Sequence, residues 1–96
     1  MSENVMTTLS LSPTLESTAA APLVAELLLL RGQPVTVAAD TVSRASTPCM
    51  QVLLSAVATW KADGIPFHIN GPSEGLLEAA RLLGLSEEQL AMDRSI

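Results

Sequence analysis

The side chains of this sequence best suited to chemistry are one threonine, one cysteine and one histidine. Thr47 directly precedes Pro48, and because proline favours the first position of a helix, Thr47 is predicted to be the helix N-cap. An N-cap hydroxyl accepts a backbone N–H and stabilises the helix by about 1 kcal/mol. A phosphate in the same place would meet unpaired N–H groups and the positive end of the helix dipole. Thr47 is therefore interpreted as a cap first and as a phosphorylation switch second.

Cys49 and His68 are the only cysteine and the only histidine of the chain. One of each gives neither an internal disulfide nor a thiolate zinc site, and no known catalytic motif surrounds them. Cys49 is interpreted as a small buried apolar residue, and His68, which alternates with apolar neighbours, as a half-exposed strand residue. We expect no catalytic residue, no metal and no cofactor. The rival hypothesis is a small enzyme or ligand carrier that uses Cys49 or His68.

Composition and charge exclude several classes of function. The chain has 96 residues, 48% of them apolar, and a net charge of −5, with five basic residues scattered along it. Nucleic-acid binding requires clustered Lys and Arg, and an anionic membrane repels an acidic chain. The longest apolar run, residues 19–30, is shorter than the roughly twenty residues of a membrane span. We expect one cytoplasmic domain over residues 1–96, flexible at residues 1–5, that binds no nucleic acid and does not insert into a membrane.

Strands and helices alternate among the predicted elements that would position these residues. The extended segments are short apolar runs bounded by turn residues, at positions 6–11, 15, 34–39 and 65–70. Three helices end at glycines and a fourth begins at a capping box, at positions 19–31, 48–63, 73–84 and from 86 onward. Such alternation indicates a mostly parallel or mixed sheet covered by helices.

The two longer predicted helices carry different patterns. Residues 23–30 of the first are apolar almost all round, which is typical of a helix buried on more than one side. The second helix has a thin uncharged stripe of Gln51, Ser55 and Thr59, spaced by one helical turn. Such a narrow polar face indicates either that other helices of the fold cover it or that a partner does. Both alternatives stay open.

Three segments carry recognisable motifs: residues 9–16 (LSLSPTLE), 42–54 (VSRASTPCMQVLL) and 73–85 (SEGLLEAARLLGL). In order and spacing they resemble the STAS family of sulfate transporters and anti-sigma-factor antagonists. They look like the family's opening strand and turn, its signature turn that opens a helix, and its helix that closes on LGL. The resemblance is greatest to the small STAS proteins encoded beside chemotaxis genes, which share the helix start at Cys49, the tryptophan at Trp60 and the helix end at Gly64.

The match of this chain to the family pattern has departures at three positions. Ser46 stands where many members have Asp, Cys49 where they have Gly, and Ala38 where they usually have Asp or Asn. Thr47 occupies the position that a partner kinase phosphorylates in the anti-sigma-factor antagonists. The resemblance therefore implies Thr47 as the phosphoacceptor candidate and Ser46 as the second choice.

The resemblance also implies a fold and a binding surface. The fold would be an α/β STAS fold, with a four- to five-stranded mixed sheet and helices packed mainly on one side. The function would be non-catalytic, regulatory protein binding at the turn before the second helix and on that helix. The expected partner-binding residues are Glu16, Ser46, Thr47, Met50, Gln51 and Leu54.

Several protein partners fit this resemblance. The first is a histidine kinase or another component of a chemotaxis system. One alternative is an anti-sigma-factor antagonist regulated by a serine kinase. Another is the STAS subunit of a lipid-trafficking ABC transporter, bound to the ATPase subunit. A homodimer is also left open.

Overall fold

The central sheet of the computed structural model has four parallel strands within the described residues 7–93. The described residues contain six strands in all: β1 (Thr7–Ser10), β2 (Thr14–Leu15), β3 (Val35–Ala38), β4 (Arg44–Ala45), β5 (Phe67–Asn70) and β6 (Met92–Asp93). The sheet order is β1-β3-β5-β6, and β2 with β4 forms a separate two-stranded parallel ladder. The predicted fold class is confirmed, although the pairing among the described residues is parallel throughout rather than mixed. The flexible segment expected at residues 1–5 lies outside the described residues.

One face of this sheet is buried and the other reaches solvent. Leu9, Val37 and Ile69 lie side by side across β1, β3 and β5, and all three are buried. Their neighbours on the opposite face include Thr8 and His68, which are exposed. Because successive side chains of a strand point to opposite faces, this alternation places the helices on one side. His68 lies on the open side, as an ordinary strand residue.

Three helices cover the buried face: α1 (Ala20–Leu29), α2 (Thr47–Asp63) and α3 (Glu74–Leu82). A single 3₁₀ turn, Ser17–Ala19, leads into α1. α2 contacts α1, α3 and β5, so it lies at the centre of the helical layer. Its Trp60 packs against Phe67 of β5, with ring centroids 5.2 Å apart. α2 ends at Gly64, whose φ of 71° is the left-handed conformation that glycine adopts without strain.

α1 is the element that differs most from its sequence-based prediction. The expectation that it is buried on more than one side is wrong: of its ten residues, Leu23 and Leu27 alone are buried. Leu28 and Leu29 are 63% and 81% exposed. α1 packs beside α2 at the margin of the helical layer, so only one of its apolar sides meets a neighbour. It also ends at Leu29, earlier than the predicted end at residue 31.

The fourth predicted helix is a single turn. Its capping pair forms, since Ser86 N–H donates to Gln89 Oε1 (2.8 Å) and Gln89 N–H to Ser86 Oγ (3.0 Å). The chain then leaves the helical path at Ala91, whose φ is 53°, and Leu90 lies fully buried in the core. Ile69 N–H of β5 donates to Ala91 O (2.9 Å), which draws the following residues into the sheet as β6.

Candidate functional site

The start of α2 lies one residue earlier than predicted. Ser46, with φ −76° and ψ 160°, is the N-cap, and its carbonyl accepts the Met50 N–H at 3.0 Å. Thr47 already has helical geometry, so the prediction of Thr47 as the N-cap is wrong. The reason is that proline is tolerated throughout the first turn, where N–H groups lack helical partners. Pro48 therefore fits the second helical position as well as the first.

The two hydroxyl groups of this turn differ in accessibility. Thr47 is exposed on the first turn of α2. The Ser46 Oγ is buried and has no hydrogen-bond partner among residues 7–93. Ser46 therefore has the backbone of an N-cap without the side-chain bond that usually accompanies it. Of the two phosphoacceptor candidates, Thr47 alone presents its side chain to solvent.

The turn is tied to the β1–β2 region by backbone hydrogen bonds. Ser46 N–H donates to Leu15 O (2.8 Å), and Ser43 N–H donates to Pro13 O (2.7 Å). The Ser43 hydroxyl donates to the same carbonyl at 3.0 Å. These bonds belong to the β2–β4 ladder and fix the segment that leads into Thr47. The sequence alone did not indicate this ladder.

Glu16 is brought to the start of α2 by a contact of its backbone. Its carbonyl accepts a hydrogen bond from Cys49 Sγ at 3.3 Å, and the Glu16 side chain is exposed. Cys49 itself is fully buried, which favours its interpretation as a small apolar core residue. Glu16 and Thr47 thus flank the same end of α2.

The predicted contact residues of α2 point in three directions. Gln51 is exposed, one turn after Thr47 on the outer side of the helix. Met50 is fully buried in the core, so its expected place on the partner-binding surface is wrong. Its apolar character was compatible with either location. Leu54 is half-buried and lines a depression with Val57 and Lys61 on the side of α2 away from α1.

An apolar groove of about 380 Å³ runs between α1 and α2. Its α2 wall includes the uncharged stripe of Gln51, Ser55 and Thr59, and its α1 wall includes Val24 and Leu28. Gln51 and Ser55 are exposed, so α1 does not cover the stripe. The sequence pattern does not indicate the α1 wall, because the apolar run at residues 23–30 predicts a helix buried on more than one side.

An ion pair closes one end of the groove. Arg31 donates to Asp63 through Nε (3.1 Å) and through a second guanidinium nitrogen (3.3 Å). This hydrogen bonding, with Coulomb attraction, lowers the pKa of Asp63 and raises that of Arg31. Because the two charges compensate each other, the groove presents a nearly neutral surface. Within the described residues, no group of three or more His, Cys, Asp or Glu is placed to hold a metal ion.

A family model described as "Mlab, STAS domain" matches residues 2–92, almost the whole chain. The chain belongs to the STAS domain family. Neither the search of curated proteins nor that of solved structures gives a match. STAS domains are generally non-catalytic and commonly mediate protein–protein interaction. In this STAS domain the signature segment, residues 42–54, contains β4, the Ser46–Thr47 turn and the first half of α2.

None of the helices in the described part of this STAS domain is long and apolar enough to cross a membrane. The surface that the structure assembles from the predicted residues contains Glu16, Thr47 and Gln51. Leu54 lies at its edge, on the far side of α2. Ser46 contributes its backbone, and Met50 lies beneath the surface.

Proposed function

We propose that this chain is a single-domain, non-catalytic cytoplasmic regulator that binds a protein partner at the start of α2. We call the exposed residues Glu16, Thr47 and Gln51, with the half-buried Leu54 at their edge, the docking surface. The observation that supports it is the exposure of Thr47 and Gln51 on consecutive turns of α2, beside a nearly neutral groove. Glu16 is the one charged residue of the docking surface, so a protein can cover the rest with little desolvation of charge.

The proposed partner is a component of a chemotaxis or other histidine-kinase system, because the signature region resembles the STAS proteins of chemotaxis gene clusters. The alternatives are an anti-sigma-factor kinase and the ATPase subunit of a lipid-trafficking transporter. Genes adjacent to the coding sequence distinguish these partners, since each pathway has its own operon. A kinase that phosphorylates Thr47 would act on the same surface in the first two cases.

Phosphorylation at Thr47 is proposed as the switch of this surface. Thr47 is exposed, whereas the Ser46 hydroxyl is buried, so a kinase could reach Thr47 without unfolding the helix. A phosphate there would be stabilised by unpaired N–H groups of the first turn of α2. Its charge, close to −2, would also lie at the centre of the docking surface, where covering it with an apolar partner surface would cost its hydration.

The test is capture of the partner from lysate, followed by binding measurements with that purified protein. Thr47→Glu and Gln51→Lys each place a charge on the docking surface, and Leu54→Asp tests the far side of α2. Thr8→Glu is the matched control, because Thr8 is exposed on the open face of the sheet. We expect Thr47→Glu and Gln51→Lys to weaken binding about tenfold or more, and Thr8→Glu to leave binding unchanged.

Fluorescence of Trp60, the one tryptophan of the chain, checks that each variant is folded. Equal binding by wild type, Thr47→Glu and Gln51→Lys would contradict the proposed surface. Mass spectrometry of the chain recovered from cells tests the switch. Phosphate is expected at Thr47, and its exclusive presence at another residue would contradict the assignment.

A further inference from the structure

The first turn of α3 contacts the loop that leads from β3 to the docking surface. Ser73, the N-cap of α3, donates its backbone N–H to Ala39 O at 3.0 Å. Its hydroxyl donates to Val42 O and at the same time accepts the Leu76 N–H at 3.2 Å. One side chain therefore both caps α3 and holds the loop.

Gly75 shows how closely α3 approaches this loop. A Cβ atom at Gly75 would lie 2.7 Å from the Ser43 carbonyl carbon and 2.8 Å from the Val42 carbonyl oxygen. These are backbone atoms, so the contact could be relieved only by moving the loop or the helix. Gly75 does not have a positive φ, and glycine destabilises a helix relative to alanine. Close approach to the loop, rather than backbone conformation, is the property that requires glycine here.

The loop is held on its other side by the β2–β4 ladder. Pro13 O accepts the Ser43 N–H, and Leu15 O accepts the Ser46 N–H. Residues 42–46 therefore run between two fixed elements, with α3 on one side and β2 on the other. Thr47 follows immediately, so the position of α2's first turn depends on both contacts.

We propose that Ser73 and Gly75 are positioning residues, through which the first turn of α3 fixes the Ser46–Thr47 turn. Neither residue belongs to the docking surface. Their effect on partner binding rests on the proposed function, but their effect on the turn does not. Displacing α3 from the loop loosens residues 42–46 and moves Thr47, while the sheet stays intact.

Amide hydrogen exchange of the full chain, resolved by residue with NMR, tests this positioning. Gly75→Ala places a methyl group against the loop backbone. Gly84→Ala is the matched control at the other end of α3, where a Cβ would meet no described atom within 4 Å, although a φ of 73° strains it. We expect Gly75→Ala to accelerate exchange of the Ser46 amide about tenfold relative to the Val35 amide of the sheet. Gly84→Ala should leave that ratio unchanged.

A second pair of variants keeps the test decisive if Gly75→Ala does not fold. Ser73→Ala removes the hydroxyl that joins α3 to Val42 O, and Ser73→Thr retains it. We expect Ser73→Ala to accelerate exchange at Ser43 and Ser46, and Ser73→Thr to restore the wild-type rates. If Ser73→Ala accelerates exchange only within α3, its hydroxyl is merely a cap, and the positioning role is overturned.

Partner binding separates this inference from the proposed function. With the partner recovered by wild type, we expect Ser73→Ala to weaken binding and Ser73→Thr to restore it. If the turn loosens but binding by Thr47→Glu and Gln51→Lys equals that of wild type, the docking surface is wrong and the positioning role stands. If exchange at Ser43 and Ser46 is unchanged in both Gly75→Ala and Ser73→Ala, the positioning role is wrong, whatever the binding result.

Discussion

Two serine residues at helix starts serve different purposes in this chain. Ser73 and Ser46 both have extended N-cap backbone geometry, with ψ values of 166° and 160°. The Ser73 hydroxyl accepts the Leu76 N–H, as a capping side chain does. The Ser46 hydroxyl is buried and has no partner among the described residues. A buried hydroxyl without a partner loses its hydration and gains no bond in return.

Alanine substitution of these two serines should therefore have opposite effects on stability. Ser73→Ala is expected to lower the free energy of unfolding by about 1 kcal/mol or more, because the capping bond and the bond to Val42 O are lost. Ser46→Ala is expected to leave it unchanged or to raise it slightly, since no bond is lost. Urea unfolding followed by Trp60 fluorescence measures both values. A loss of about 1 kcal/mol in Ser46→Ala would show that its hydroxyl finds a partner in solution.

The role or exposure of a single residue was predicted well where that property depends on residues nearby in the sequence. The cap at Ser73, the helix end at Gly64 and the exposure of His68 each depend on a few neighbouring residues. The choice between Ser46 and Thr47 as N-cap depended instead on the bond from Ser46 N–H to Leu15 O. That partner lies 31 residues earlier in the chain, beyond the reach of any local pattern.

At the scale of elements, hydrophobic periodicity together with turn and capping residues predicted the central strands and α2 within a few residues. β4 and β6 were not predicted, and the burial of α1 was predicted wrongly, because all three depend on distant partners. β4 forms by pairing with β2, and β6 forms by pairing with the edge of β5. α1 has the pattern of a doubly buried helix, yet its outer side meets no other described element. The sequence pattern indicates that a helix has an apolar side, but the arrangement of the neighbouring elements decides whether that side is covered.

Two leucines of α1 distinguish the observed packing from the sequence-based expectation. Leu27 is 5% exposed and Leu29 is 81% exposed. Leu27→Ala is expected to lower the free energy of unfolding by about 2–5 kcal/mol, because it leaves a cavity beside α2. Leu29→Ala removes the same atoms from a solvated position and should change the free energy by no more than about 0.5 kcal/mol.

Equilibrium urea unfolding of both variants, at equal protein concentration, makes this comparison. Similar large losses for Leu27→Ala and Leu29→Ala would mean that the outer side of α1 is covered in solution. In that case a second measurement at several protein concentrations would show whether a second copy covers it, since the apparent stability of a dimer depends on concentration.

At the scale of the whole molecule, the one-sided sheet determines where a binding surface can form. Because the strands are parallel, their carboxyl ends share one edge of the sheet, and the helix starts emerge there together with the β1–β2 turn. This common edge brings Glu16 and Thr47 together although they are far apart in sequence. The family resemblance predicted that pairing, whereas the groove beside it follows from how α1 is placed. The proximity of Glu16 and Thr47 was thus predictable from the resemblance, whereas the shape of the groove beside them required the fold.

The ion pair of Arg31 and Asp63 joins the end of α1 to the end of α2 and should make the stability of the fold pH-dependent. Hydrogen bonding to Arg31 lowers the pKa of Asp63 from its ordinary value of 3.8. The folded state therefore binds this proton less readily than the unfolded state. Its contribution to stability is present above pH 3.8 and is lost as the pH falls through the lowered pKa. The effect is small, because the two side chains are 54% and 27% exposed.

Asp63→Asn isolates this contribution, and Glu26→Gln is its control for net charge. Glu26 is exposed on α1 and forms no ion pair with the other described residues. We expect Asp63→Asn to unfold at a lower temperature than wild type at neutral pH, and the two melting temperatures to converge below pH 3.8. The difference at neutral pH should also shrink in about 1 M salt, where the Debye length is about 3 Å. A gap between Asp63→Asn and wild type that is constant with pH, or equalled by Glu26→Gln, would mean that the ion pair does not stabilise the junction of α1 and α2.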